Sequence, residues 1–275
     1  MRPEEEIRKH LRLDRFPHLW CPGCSNGIAT RAIVAAVLRS GVPLDKVVVV
    51  SGIGCSARTS GYLHFDGLHT THGRALAFAT GVKLARPELV VLVITGDGDL
   101  AAIGGNHFIH AARRNVDLTL ICFNNRIYGM TGGQYSPTTF PGDRATTAPY
   151  GHRERAFDLC SLAIAAGATY VARGTAFHVQ PLIRYLARAI QHRGLSFVEV
   201  MSSCPVYYGR QQKVGGAPEL LSLIASQAVP VEEYERLPPE ERARKYPVGE
   251  LHLSEAPELG EELARLAAAS RGGGG

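Results

Sequence analysis

Apolar residues recur at helical spacing from Ile28 to Arg39, after the capping residues Ser25 and Asn26 and before Ser40-Gly41, and predict a first helix. Val47–Val50 follows as a short, β-branched, wholly apolar run ending in Ser51-Gly52-Ile53-Gly54, the pattern of a buried strand opening into a glycine loop. The alternation then repeats. It predicts a small-residue helix over 74–85, a strand over 89–94, a helix over 105–113 and a strand over 118–123. A helix over 156–166, a strand over 169–171, a helix over 179–192 and a strand over 197–201 continue it. Fully apolar strands alternating with helices predict an α/β fold with a mostly parallel, doubly wound sheet covered on both faces.

After about Val206 the rhythm fails. Leu237-Pro238-Pro239 and Pro247-Val248-Gly249 punctuate a charged stretch, before an amphipathic helix predicted over 257–269 and a glycine tail, Gly272–Gly275, expected to be disordered. The pattern divides the chain into an N-terminal extension (1–19), an α/β domain (20–206) and an irregular C-terminal arm (207–275).

The 275 residues, 45% hydrophobic and 20% charged, suffice for a large core and exclude a disordered chain. Apolar runs are interrupted well short of the ~18–20 residues of a membrane span. Met1-Arg2-Pro3-Glu4-Glu5-Glu6 is too acidic for a signal peptide, so a cytoplasmic protein is expected. The net charge of +5 comes mostly from arginine without a dense basic run, which points more to an acidic protein partner than to nucleic acid.

In such a sheet, ligands bind beyond the carboxyl ends of the strands. One predicted strand end reads Thr95-Gly96-Asp97-Gly98-Asp99, the other Asn124-Asn125-Arg126-Ile127-Tyr128-Gly129. Glycines around Asp97 let backbone amides approach a phosphate, and the carboxylate offers a hard oxygen to Mg²⁺. The Asn125 amide oxygen and a nearby carbonyl can complete a face of the octahedron. Alone, each motif also fits an ordinary turn or cap. Paired across one helix and one strand, they resemble the thiamine diphosphate signature, which implies Mg²⁺ ligation by Asp97, Asn125 and the Ile127 carbonyl, with the diphosphate near Gly98, Asp99, Gly129 and Met130.

The six cysteines are too few for a disulfide scaffold. Trp20-Cys21-Pro22-Gly23-Cys24 could be a chance pair, a redox pair or half of a metal site; no strand precedes it, which disfavours the redox pair. Cys55 and Cys204 follow predicted strands and could complete a four-thiolate site, whereas Cys122 and Cys160 read as core thiols. Spacing does not choose between Zn²⁺ and a [4Fe–4S] cluster. A neighbouring decarboxylating cofactor favours the cluster, which can accept its electrons.

Trp20–Cys24, Gly52–Ser56, His72-Gly73-Arg74-Ala75, Gly96–Asp99, Asn125–Thr131 and Cys204-Pro205 occur in order. Together, over about residues 16–210, they resemble the β subunit of a 2-oxoacid:ferredoxin oxidoreductase, with the 2-oxoglutarate members nearest. The resemblance implies a [4Fe–4S] cluster on Cys21, Cys24, Cys55 and Cys204. It also implies a thiamine pocket containing Ile53, Gly54, Cys55, Ser56, His72, Gly96, Gly98, Asp99, Gly129, Met130 and Thr131. His72 is a catalytic candidate, or simply a helix-start residue; His64 and His69 read as loop packing.

The implied reaction is oxidative decarboxylation of a 2-oxoacid, 2-oxoglutarate preferred, with coenzyme A, giving acyl-CoA and CO₂ and passing electrons to ferredoxin. Before residue 154 the only glutamates are Glu4, Glu5, Glu6 and Glu88, none at a strand end. The resemblance therefore implies that an α subunit supplies the activating Glu, in an αβ or (αβ)₂ assembly whose contact is expected to involve the C-terminal arm. No ferredoxin-like cysteine run adds further clusters. Gly132 stands where broad-specificity relatives carry Lys, so the distal carboxylate of 2-oxoglutarate must be read elsewhere. The alternatives are pyruvate or broad 2-oxoacid oxidation, a cluster-free thiamine decarboxylase or synthase, and a zinc-stabilised scaffold with no enzymatic role.

Overall fold

The computed structural model describes residues 3–272; the tail glycines Gly273–Gly275 lie outside the described residues, and Gly272 ends the last helix. The strands are β1 (Val47–Ser51), β2 (Asp66–His69), β3 (Val90–Gly96), β4 (Thr119–Asn124), β5 (Ile127–Tyr128), β6 (Gln134–Tyr135), β7 (Tyr170–Thr175), β8 (Ser196–Met201), β9 (Ala228–Pro230) and β10 (Tyr246–Leu253). Eight form one sheet in the order β2-β1-β3-β4-β8-β7-β10-β9, and β5 and β6 form a separate hairpin. From β2 to β7 every pairing is parallel; β10 joins β7 antiparallel and β9 parallel.

Strands buried on both faces need helices on both, because neither face can be left to water. Helices Asn26–Ser40 and Val179–Gln191 cover one face, packing Ile33, Val37, Leu182 and Leu186 with Val49 and Ile121. Helices Ala75–Ala85, Gly105–Arg113 and Leu159–Ala165 cover the other, packing Leu76, Phe108 and Leu159 with Val50, Leu120 and Phe197. The doubly wound α/β expectation thus matches the sheet.

Three parts are more regular than the hydrophobic pattern predicts. Asp66-Gly67-Leu68-His69 is a polar, largely exposed edge strand, invisible to a search for apolar runs. The N-terminal helix Pro3–Lys9 buries Ile7 in the main core. The C-terminal segment, expected to be an irregular arm, contributes helix Ala217–Gln227 and strands β9 and β10. Pro247 is tolerated there because the ladder with β7 begins only at Gly249, and a bulge follows between Glu250 and His252.

Candidate active site

The parallel strands bring the ends of β1, β3 and β4 together at one edge of the sheet. A cavity of about 160 Å³ opens there, lined by the loop Ile53–Ser56, by His72, by Gly96–Asp99 and by Asn125 with Ile127–Thr131. Every residue that the family resemblance implies for the thiamine and Mg²⁺ sites lies on its wall. Phe123 and Tyr128, which sequence reasoning missed, complete it. The Tyr128 hydroxyl donates to the Gly98 carbonyl at 3.1 Å. A Cβ on Gly98 would lie 2.2 Å from the Tyr128 ring, so only glycine lets that ring close over the turn.

Asp97 is 2% exposed. Burial pushes its pKa up to about 6, against hydrogen bonds from Ser136, Thr138 and backbone amides. A buried carboxylate in this state is short of positive charge, which a divalent cation would supply. Asn125 Oδ1 accepts from the Ile127 amide at 3.1 Å, which fixes the amide oxygen beside the Ile127 backbone. These hard oxygen donors fit Mg²⁺ chemistry.

Asp99 fastens two loops to its own turn. Its Oδ1 accepts from Gly73 N (2.7 Å) and Ile53 N (3.4 Å) and lies 2.6 Å from His72 Nδ1, so the His72 ring is held at the cavity wall by a buried carboxylate. Its Oδ2 is buried with no hydrogen-bond partner among the described residues. A Cβ on Gly52 would meet that oxygen at 1.9 Å, which explains glycine there.

A second cavity of about 270 Å³ is lined by Cys21, Cys24, Cys55 and Cys204 and shares Cys55, Asn125, Gly129 and Met130 with the first. A Cβ on Gly129 would sit 3.4 Å from Cys204 Sγ and 3.7 Å from Cys55 Sγ, so this backbone separates the two cavities. Trp20 Nε1 donates to the Cys55 carbonyl at 2.7 Å, and the Ser203 amide donates to Ser25 Oγ at 2.7 Å. These two bonds tie the N-terminal segment to the ends of β1 and β8, bringing together cysteines far apart in sequence.

Burial raises the Cys24 thiol to about 12 and Cys55 to about 11, with negative charge on the neighbouring cysteines adding to both. Burial raises the Cys204 thiol as well, and buried thiols gathered in this way suit an electron-deficient metal centre, which would hold them as thiolates. No three of these sulfurs lie within 4.8 Å of one another. Cys122 and Cys160 are buried and line neither cavity. His69 Nδ1 lies 3.0 Å from Ser51 Oγ, a loop-packing role.

The family described as thiamine pyrophosphate enzyme, C-terminal TPP binding domain, matches residues 32–200. The chain is 52% identical over 258 residues to the 2-oxoglutarate synthase subunit KorB of Methanocaldococcus jannaschii, covering 94% of this chain and 96% of that one. It is 46% identical over 190 residues to the 2-oxoacid:ferredoxin oxidoreductase subunit beta of Saccharolobus solfataricus, covering 68% and 62%. Its fold is similar to a solved 2-oxoglutarate:ferredoxin oxidoreductase from Magnetococcus marinus with 2-oxoglutarate, coenzyme A and succinyl-CoA bound. That match has a TM-score of 0.86 and 33% identity, covering 98% of this chain and 92% of the other.

Proposed function

From the premise that this chain belongs to the β subunits of the 2-oxoacid:ferredoxin oxidoreductases, we propose that its first cavity holds Mg²⁺–thiamine diphosphate and its second a [4Fe–4S] cluster. The observation that carries this reading is the shared wall: Cys55 and Gly129 border both cavities. Bound there, thiamine diphosphate would supply the reactive carbon for decarboxylation, Mg²⁺ the charge that offsets the diphosphate, and the cluster an electron acceptor close by.

The protein supplies position and electrostatics. Asp97, Asn125 and the Ile127 carbonyl hold the cation, and the Gly98–Asp99 turn with Gly129 and Met130 receives the diphosphate. Asp99 fixes the His72 ring by its Nδ1, leaving Nε2 to exchange a proton or donate to the cofactor. Tetrahedral Zn²⁺, with Zn–S of about 2.3 Å, would need sulfurs about 3.8 Å apart. No three of the four sulfurs stand within 4.8 Å of one another, which favours a cluster over a closed tetrahedral zinc site.

Among the described residues no glutamate lines the first cavity. The activating Glu therefore belongs to an α subunit, and this chain is active only in the assembled αβ or (αβ)₂ enzyme. Ile53 and Met130 are exposed while lining the cavity and mark the side that the α subunit covers. The substrate is 2-oxoglutarate, oxidised with coenzyme A to succinyl-CoA and CO₂ with electrons passed to ferredoxin in the cytoplasm. Among the described residues no helix is long and apolar enough to cross a membrane. A substrate panel on the assembled complex tests the assignment: 2-oxoglutarate should turn over faster than pyruvate, and the reverse order would move the enzyme to the pyruvate or broad-specificity class.

A further inference from the structure

Asp97 has a partner that none of the sequence motifs signals. Thr138, in the loop after β6, places Oγ1 2.8 Å from Asp97 Oδ2 and 2.9 Å from Asn124 Oδ1. All three residues are buried. The orientation of Asn124 follows from the chemistry of its neighbour. Glu199 Oε1 lies 2.7 Å from Asn124 Nδ2 and, as a carboxylate, only accepts, so the amide oxygen must face Thr138 and the Arg126 amide at 3.0 Å. The single Thr138 proton lies between Asp97 Oδ2 and Asn124 Oδ1 and is shared by them, so the hydroxyl bridges the carboxylate to the Asn124 amide oxygen.

Behind Asn124 the chain of contacts continues. Arg173, 4% exposed, pairs its Nε with Glu199 Oε2 at 2.5 Å, donates to the Pro247 carbonyl at 3.2 Å and pairs with Asp158. Asp158, Cys160 and Glu199 lie within 4.8 Å of one another, but Arg173 already supplies positive charge to both carboxylates. Asp97 follows β3, Asn124 ends β4, Glu199 lies on β8, Arg173 on β7 and Pro247 on β10, which are consecutive strands of the sheet. A buried polar line thus crosses the sheet from the proposed cation site to the C-terminal strand. An ion pair needed only to fill the core could end at Glu199 and Arg173. This one is extended, link by link, to the carboxylate of the first cavity.

We propose that Thr138, backed by Asn124, Glu199 and Arg173, is the positioning set that fixes the carboxylate plane of Asp97 for Mg²⁺. The proposal rests on the reading of Asp97 as a Mg²⁺ ligand. Outer partners of metal ligands act by holding the ligand in its binding orientation, and their loss weakens metal affinity by about 10–100-fold.

The test measures the Mg²⁺ dependence of thiamine diphosphate binding to the assembled αβ complex by anaerobic equilibrium dialysis. Thr138→Val removes only the hydroxyl and should raise the half-saturating Mg²⁺ concentration about 10-fold or more, while Thr138→Ser, which keeps it, stays within about 2-fold of the parent. The reduced-cluster EPR signal should be the same in both. Glu199→Gln cancels the charge that fixes Asn124 and should give a smaller shift in the same direction. Parent-like Mg²⁺ dependence in Thr138→Val, with binding lost in Asp97→Ala, would overturn the positioning role. A shift in Thr138→Val alone would overturn it for Glu199 and Arg173. Parent-like dependence in Asp97→Ala would instead remove the Mg²⁺ reading beneath it.

Discussion

The two cavities share a wall but are built in opposite ways. The first is local: its acid, amide and glycines follow two adjacent strands, β3 and β4, and the sheet itself sets their spacing. The second is assembled from the N-terminal segment, the end of β1 and the end of β8, and it depends on tertiary ties such as Trp20 to Cys55 and Ser203 to Ser25. A site that rides on a parallel sheet is insensitive to distant changes, whereas one stitched from three segments inherits the weakness of each stitch. The cavities should therefore respond independently to substitutions on either side of Gly129.

The largest separation is expected from Asp97→Ala. Removing the buried cation ligand should weaken thiamine diphosphate binding by more than about 100-fold, with iron and sulfide content unchanged. Cys204→Ser should do the converse, lowering iron content and electron transfer while thiamine diphosphate still binds. Loss of both cofactors in either variant would mean that the cavities are one cooperative unit.

A smaller effect is expected from Gly98→Ala, whose Cβ would meet the Tyr128 ring. It should cost about 1–3 kcal/mol in thermal unfolding and weaken thiamine diphosphate binding, which calorimetry can measure, without altering the cluster spectrum. Cys160→Ser should leave both cofactor contents at parent levels. Its thiol lies 3.4 Å from Glu199 and does not line the cysteine cavity, so a fall in iron there would contradict the four-ligand assignment.

The same local-versus-assembled contrast explains what could be read from the chain alone. β1, β3, β4 and β8 were legible because they are buried on both faces and therefore written in apolar residues. The Gly-Asp-Gly and Asn-Asn pairs were legible because they sit at the ends of such strands. β10 was not, because Pro247 and Gly249 carry breaker signals that its position near the sheet edge makes harmless. Nor was Thr138. It lies 41 residues from Asp97, and a threonine in a polar loop has no periodicity that distinguishes a buried donor from a surface hydroxyl. Tyr128 adjoined the metal-ligand motif, yet only the closeness of its ring to Gly98 reveals its part in the wall. The four cysteines were recognisable as a set by family resemblance, while the bonds that hold their loops together are tertiary.

Two redox-coupled cofactor sites on either side of the wall formed by Cys55 and Gly129 are the core of the proposed function. Iron, acid-labile sulfide and zinc content of the anaerobically purified complex, with an EPR spectrum of the dithionite-reduced sample, tests it most directly. About four irons and four sulfides are expected for each copy of this chain, with a reduced-cluster signal that Cys204→Ser diminishes. Stoichiometric zinc without sulfide would contradict it and leave the second cavity a structural metal site.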